Sequence, residues 1–227
     1  MIMNLSYAAI ATVIIDIVAI FLLLGVIQCS RIYRQRGKLQ DKLFFSMLIL
    51  DIFMAVFDIA VEFSNYGITN FAHFRTVLLA TILTMIFEVL CFLVLLYVLC
   101  FLPSGNERVK KNSMKYAIPM FAANIVIIIN MFFGYLFYAD AATGQYLHGP
   151  LYNIIFIPVV MYAVMTLSAL WKINKLGILL FFLLLVARLT MEVLYRSVSS
   201  TPFVYAVVLI YLLLGTMNRA FHGEDEE

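Results

Sequence analysis

The chain has 227 residues, of which 65% are hydrophobic and only 12% charged, with a mean hydropathy of +1.03. Soluble domains run at roughly 45–50% apolar and about 25% charged residues, so water is not its main solvent. One bilayer-crossing helix takes about 20 apolar residues, and seven of them would use up the chain, which excludes a soluble catalytic, nucleic-acid-binding or periplasmic sensor domain. No nucleic-acid partner is expected, and the lipid bilayer is the first partner.

In chain order the apolar runs fall at 6–28, 43–62, 76–102, 117–138, 151–171, 178–197 and 202–219. They are continuous rather than alternating, so helices and not barrel strands are expected. The expected fold is therefore all-α, a polytopic seven-transmembrane-helix bundle over residues 1–219 with an acidic cytoplasmic tail at 220–227. The first run is too long for a signal-peptide core, and residues 1–6 carry no Lys or Arg, so it should be retained as a helix. Twelve of the fifteen basic residues lie in 29–42 (Arg31, Arg34, Arg36, Lys38, Lys42), 103–116 (Arg108, Lys110, Lys111, Lys115), 172–177 (Lys172, Lys175) and the tail (Arg219). The positive-inside bias places those segments in the cytoplasm and the N-terminus outside. Trp171 falls at the inner headgroup level. Pro119, Pro150 and Pro202 lie near expected helix starts, whereas Pro158 falls inside the fifth run and is expected to kink it.

The charges inside the runs carry the information. Asp16 lies in the first run, Asp51, Asp58 and Glu62 in the second, Glu88 in the third, and Arg188, Glu192 and Arg196 in the sixth. Spacings of seven and four put the three acids of the second run on one stripe, and spacings of four do the same in the sixth. Counted from the outer ends, Asp16, Asp51, Glu88 and Arg188 are expected in one layer near the midplane, with Asp58, Glu62, Glu192, Arg196 and Arg75 above it. Acids exceed bases by three in this set. An unpaired charge at the bilayer centre costs about 2.5–3.5 kcal/mol on insertion scales, and protonating an ordinary Asp at neutral pH costs roughly 4 kcal/mol. Hydration, protonation and a bound cation all remain open for the excess acids, as does a network of ion pairs that only knits helices together. Asn124, Asn130, Tyr135, Tyr138, Asn153 and Tyr162 either line the same space or bond helix to helix.

Enzyme chemistry finds no foothold. His73, His148 and His222 fall in loops or the tail, and no HExxH, GxSxG or phosphate-binding glycine loop occurs. Cys29, Cys91 and Cys100 have no ligand spacing, so neither a metal site nor a disulfide is expected, and no cofactor. No Lys follows Lys175, which excludes a retinal Schiff base in the last run. The third run ends Cys100, Phe101, Leu102 where a eukaryotic G-protein-coupled receptor carries Asp-Arg-Tyr.

The stretch Gly144, Gln145, Tyr146, Leu147, His148, Gly149, Pro150, Leu151, Tyr152, leading into the fifth run, resembles the extracellular loop of the seven-helix N-terminal membrane sensor modules of bacterial GGDEF diguanylate cyclases and some histidine kinases. Tyr146, His148, Gly149, Pro150 and Tyr152 carry the likeness, with His148 where Arg is more usual. The resemblance implies sensing of an extracellular small molecule or proton, with the change passed to a cytoplasmic diguanylate cyclase or histidine kinase output domain, and a homodimer as a further assembly. The chain holds no GGDEF motif, phosphoacceptor His box or ATP-binding domain, so the output is expected on a separate partner or a severed half. The expected mechanism is an exchange of ion pairs between the acids of the second run and Arg188 or Arg196, carried by the last two helices to Asn218 and Arg219. The alternative is a small proton-coupled secondary transporter, for which midplane carboxylates are also suited. A purely structural anchor for another membrane protein is the third reading.

Overall fold

The computed structural model describes residues 7–33, 38–65, 72–140, 145–173 and 201–222. Among them are six α-helices, α1 (Tyr7–Tyr33), α2 (Leu39–Asn65), α3 (Ala72–Leu99), α4 (Gly105–Phe133), α5 (Phe156–Ile173) and α6 (Thr201–His222), with a two-stranded hairpin of β1 (Phe137–Ala139) and β2 (Tyr146–His148) between α4 and α5. Five stretches are long and apolar enough to cross a membrane: Ala9–Ser30, Leu39–Ser64, Phe74–Leu99, Gly105–Phe133 and Tyr152–Ile173. The chain is thus a multi-pass, mostly helical membrane protein, but the seven-helix bundle is not what the described residues form. Two runs account for the difference. The last has an apolar part, Thr201–Leu214, too short to count as a crossing, and the sixth, 178–197, lies outside the described residues.

Each helix shows why it sits where it does. Along α1 the buried positions are Ala9, Thr12, Asp16, Ala19, Leu23 and Val26, a strict alternation of three and four residues that makes one narrow seam. The opposite side exposes Ile14, Phe21 and Leu24, which in a bilayer is the lipid face. On α2 the seam runs Phe44, Met47, Leu48, Asp51, Met54, Ala55, Asp58 and Val61. α3 differs: from Phe87 to Cys100 nearly every side chain is buried, because α2, α4 and α5 all pack on it. It is the central column. α1 and α6 close the other flank, each touching α2 and the other.

The turn from α3 to α4 is tight. Ser104 adopts the left-handed conformation with φ 53°, and a side chain on Gly105 would run into the Leu99 carbonyl oxygen. Glycine is the residue that fits. α4 then begins ten residues or so before its expected start, and Pro119 lies deep inside it rather than near its beginning. Pro158 shows the reverse correction. A 3₁₀ turn at Tyr152–Ile155 precedes α5, so Pro158 is the third residue of the α-helix, where a missing N–H is harmless.

Between α4 and α5, β1 and β2 pair antiparallel with Phe137 opposite His148. The hairpin is tied to α4 by Asn130, whose Nδ2 donates to the Phe137 carbonyl at 2.8 Å and whose Oδ1 accepts from the Leu136 N–H at 2.6 Å. Gly134, with φ 67°, ends α4 by donating to the Asn130 carbonyl, a left-handed cap of the usual glycine kind.

Candidate functional site within the membrane

Asp16, in the α1 seam, is completely buried, and so is Asp51 in the α2 seam. Among the described residues, both oxygens of each lack a hydrogen-bond partner. Asp58 is buried on the same seam of α2, one helix over from Asp16. The spacing explains the grouping: at about 1.5 Å per residue, Asp16 on the descending α1 stands at a depth between those of Asp58 and Asp51 on the ascending α2. Thr12, also fully buried, is one turn above Asp16 on the same seam. No group of three or more His, Cys, Asp or Glu among the described residues is arranged to hold a metal ion.

Glu88 stands apart from this group. It too is fully buried, on α3, with neither oxygen hydrogen-bonded among the described residues. Cys91, one turn further along α3, pairs its sulfur with the Tyr205 hydroxyl of α6 at 2.9 Å, and Phe87 meets the same ring edge-on. Central α3 thus touches both an acid site and the helix that leaves the bundle. Arg188, Glu192 and Arg196, expected to face these acids, lie outside the described residues.

Tyr162 is the group that sequence reasoning undervalued. Its hydroxyl donates to the Tyr116 carbonyl at 2.8 Å and accepts from the Met120 N–H at 3.0 Å. Those two backbone groups are four residues apart in α4 and would ordinarily bond each other. A side chain from α5 thus bridges two groups of the α4 ladder beside Pro119. The proline inside a long helix was the available signal, since Pro119 removes a neighbouring rung of the same ladder. Asn124, on the buried side of α4 one turn outward, leaves its Oδ1 without a partner.

The loop singled out in sequence forms an aromatic chain. The rings of His148 and Tyr152 stack at 3.6 Å, with Tyr146 edge-on to His148 and Phe156 edge-on to Tyr152. Gly149 donates to the Leu136 carbonyl and Leu151 to that of Tyr135. A Cβ on Gly149 would sit 2.2 Å from the Tyr135 oxygen, so glycine permits this approach, and Pro150 sets the turn that follows. The motif is an architectural joint between α4 and α5.

No protein-family model, curated protein or solved structure matches the chain. With five crossing helices and six helices in all among the described residues, the likeness to the seven-helix sensor modules is not upheld. The Gly-Pro-Leu-Tyr stretch is too short a motif to carry it, and its residues are accounted for by the local geometry of the hairpin.

Proposed function

We propose that the protein is a membrane signal-transduction module that takes up a proton or small cationic solute from the outer side and answers with a movement of α6. The observation that carries this reading is the pair of fully buried carboxyl groups, Asp16 and Asp51, without hydrogen-bond partners at the contact of α1 and α2. A buried charge left without a partner costs several kcal/mol, so adding or removing a positive charge there changes the energy of the α1–α2 seam. α6 packs on both helices and is further tied to α3 by Tyr205. A ligand shifts a two-state bundle only by its differential affinity for the two states, and the carboxyl pair supplies such a difference. In this reading the chain performs no catalytic step of its own.

The test uses the full-length protein in proteoliposomes, with hydrogen exchange of α6 followed as external pH and sodium concentration are varied. Exchange in α6 should respond to one of the two, and Asp16→Asn with Asp51→Asn should abolish the response while the protein stays folded. An α6 indifferent to both probes, or a double variant that responds as the parent does, defeats the reading.

A second reading, proton-coupled transport, has one observation in its favour: a buried acid, Glu88, lies beside a helix whose ladder is opened within the membrane at Pro119, and interrupted helices are what transporters use at their binding sites. Solute or proton flux through the same liposomes favours transport; a response of α6 without flux favours signalling.

A further inference from the structure

α4 is longer than a crossing needs. Its 29 residues exceed the about 20 that fill the hydrocarbon core by about nine, and the surplus is at the basic end, which the charge bias places in the cytoplasm. Counting twenty residues back from Phe133 reaches Met114, so Arg108 and Lys111 stand beyond the core and Lys115 at its edge. Gly105 and Val109 are buried on the bundle side and fix the rotation of this segment. Arg108, Lys111 and Lys115, all exposed, follow each other at spacings of three and four. The same spacing continues through Ile118, Ala122, Ile125 and Ile129, every one of them exposed. One outward stripe of α4 therefore passes from cations to hydrocarbon at the depth where the bilayer makes the opposite transition, from phosphate to acyl chain. Trp171, 67% exposed, and the exposed Lys172 end the neighbouring α5 at the same side, as residues of a headgroup anchor do. Glu107, four residues before Lys111, is the acid of this segment, and Lys110 is turned about 100° from Lys111 round the helix.

We propose that Arg108, Lys111 and Lys115 form a binding site for anionic phospholipids of the cytoplasmic leaflet, the phosphate held by the three cations and the acyl chains laid along Ile118, Ala122 and Ile125. The continuity of the stripe selects lipid over a soluble partner, because a ligand seated on the cations has its apolar part directly against the membrane-facing side of the same helix.

The experiment places the full-length protein in nanodiscs of phosphatidylcholine with a graded share of phosphatidylglycerol and counts the lipids retained on release by native mass spectrometry. The parent protein should retain phosphatidylglycerol in preference to phosphatidylcholine. The preference should fall by about fivefold for each of Arg108→Gln, Lys111→Gln and Lys115→Gln, the effect of one charge near an anionic surface, whereas Lys110→Gln should leave it within a factor of two. The single variants keep the test open where the triple variant does not fold. Equal retention of the two lipids by the parent, equal losses from Lys110→Gln and Lys111→Gln, or full displacement by inorganic phosphate would each overturn the assignment. An acidic protein captured by the parent and lost from the triple variant, with lipid retention unchanged, assigns the surface to a soluble partner instead.

Discussion

Asp16 and Asp51 are carboxyl groups that the fold encloses without giving them hydrogen-bond partners. An amide of the same shape can be enclosed with no charge to neutralise, so Asp16→Asn and Asp51→Asn are expected to raise the midpoint of thermal denaturation in detergent, each by the equivalent of about 1–3 kcal/mol. A lowered midpoint would reveal a charged partner for that position. Gly149 makes the opposite kind of demand. Gly149→Ala presses a methyl group onto the Tyr135 carbonyl, with an expected loss of about 1–3 kcal/mol, and protease cleavage of the hairpin should accelerate. At this scale the sequence was informative about which residues would be buried, because a carboxyl group in an apolar run has few places to go. It was uninformative about partners, since depth along a helix says nothing of which side of a neighbouring helix a group faces.

Among the elements, α4 departs furthest from expectation and shows what periodicity cannot reveal. On α2 the expected stripe is buried at Asp51 and Asp58 but only half-buried at Glu62. α4 was not legible from spacing, because the polar stretch before residue 117 looks like a loop when only hydropathy is read, and because the entry of Tyr162 into its ladder depends on a residue more than forty positions later. Tyr162→Phe removes both of those hydrogen bonds but allows Met120 and Tyr116 to pair with each other, so the expected loss is small, about 1 kcal/mol. The informative measurement is of contact: loss of the hydroxyl bridge should loosen α5 from α4, read as a broader distribution of spin-label distances between the two helices. Asn130→Ala has no such escape, leaving the Leu136 N–H and Phe137 carbonyl unsatisfied, and should cost about 1–3 kcal/mol for each.

For the molecule as a whole, membrane residence and the helical class followed from composition, and the orientation expected from the charge bias is one that the cysteines can check. Cys29 is exposed near the inner end of α1, whereas Cys91 and Cys100 are buried; burial also pushes the Cys100 thiol, just past the end of its span, up to about 11, which keeps it in the unreactive form. A membrane-impermeant maleimide should therefore label one site, and only in inverted vesicles. Labelling from the outside would reverse the topology. The number of crossings was the least legible feature: hydropathy registers runs of apolar residues, and five of them are crossing helices among the described residues.

The joint between Tyr162 and α4 bears on biogenesis. α4 leaves the ribosome and enters the translocon before α5 has been made, so Tyr116 and Met120 must first bond each other. The bridge through the Tyr162 hydroxyl forms only when α5 arrives, so one contact inside a span is completed by synthesising the next.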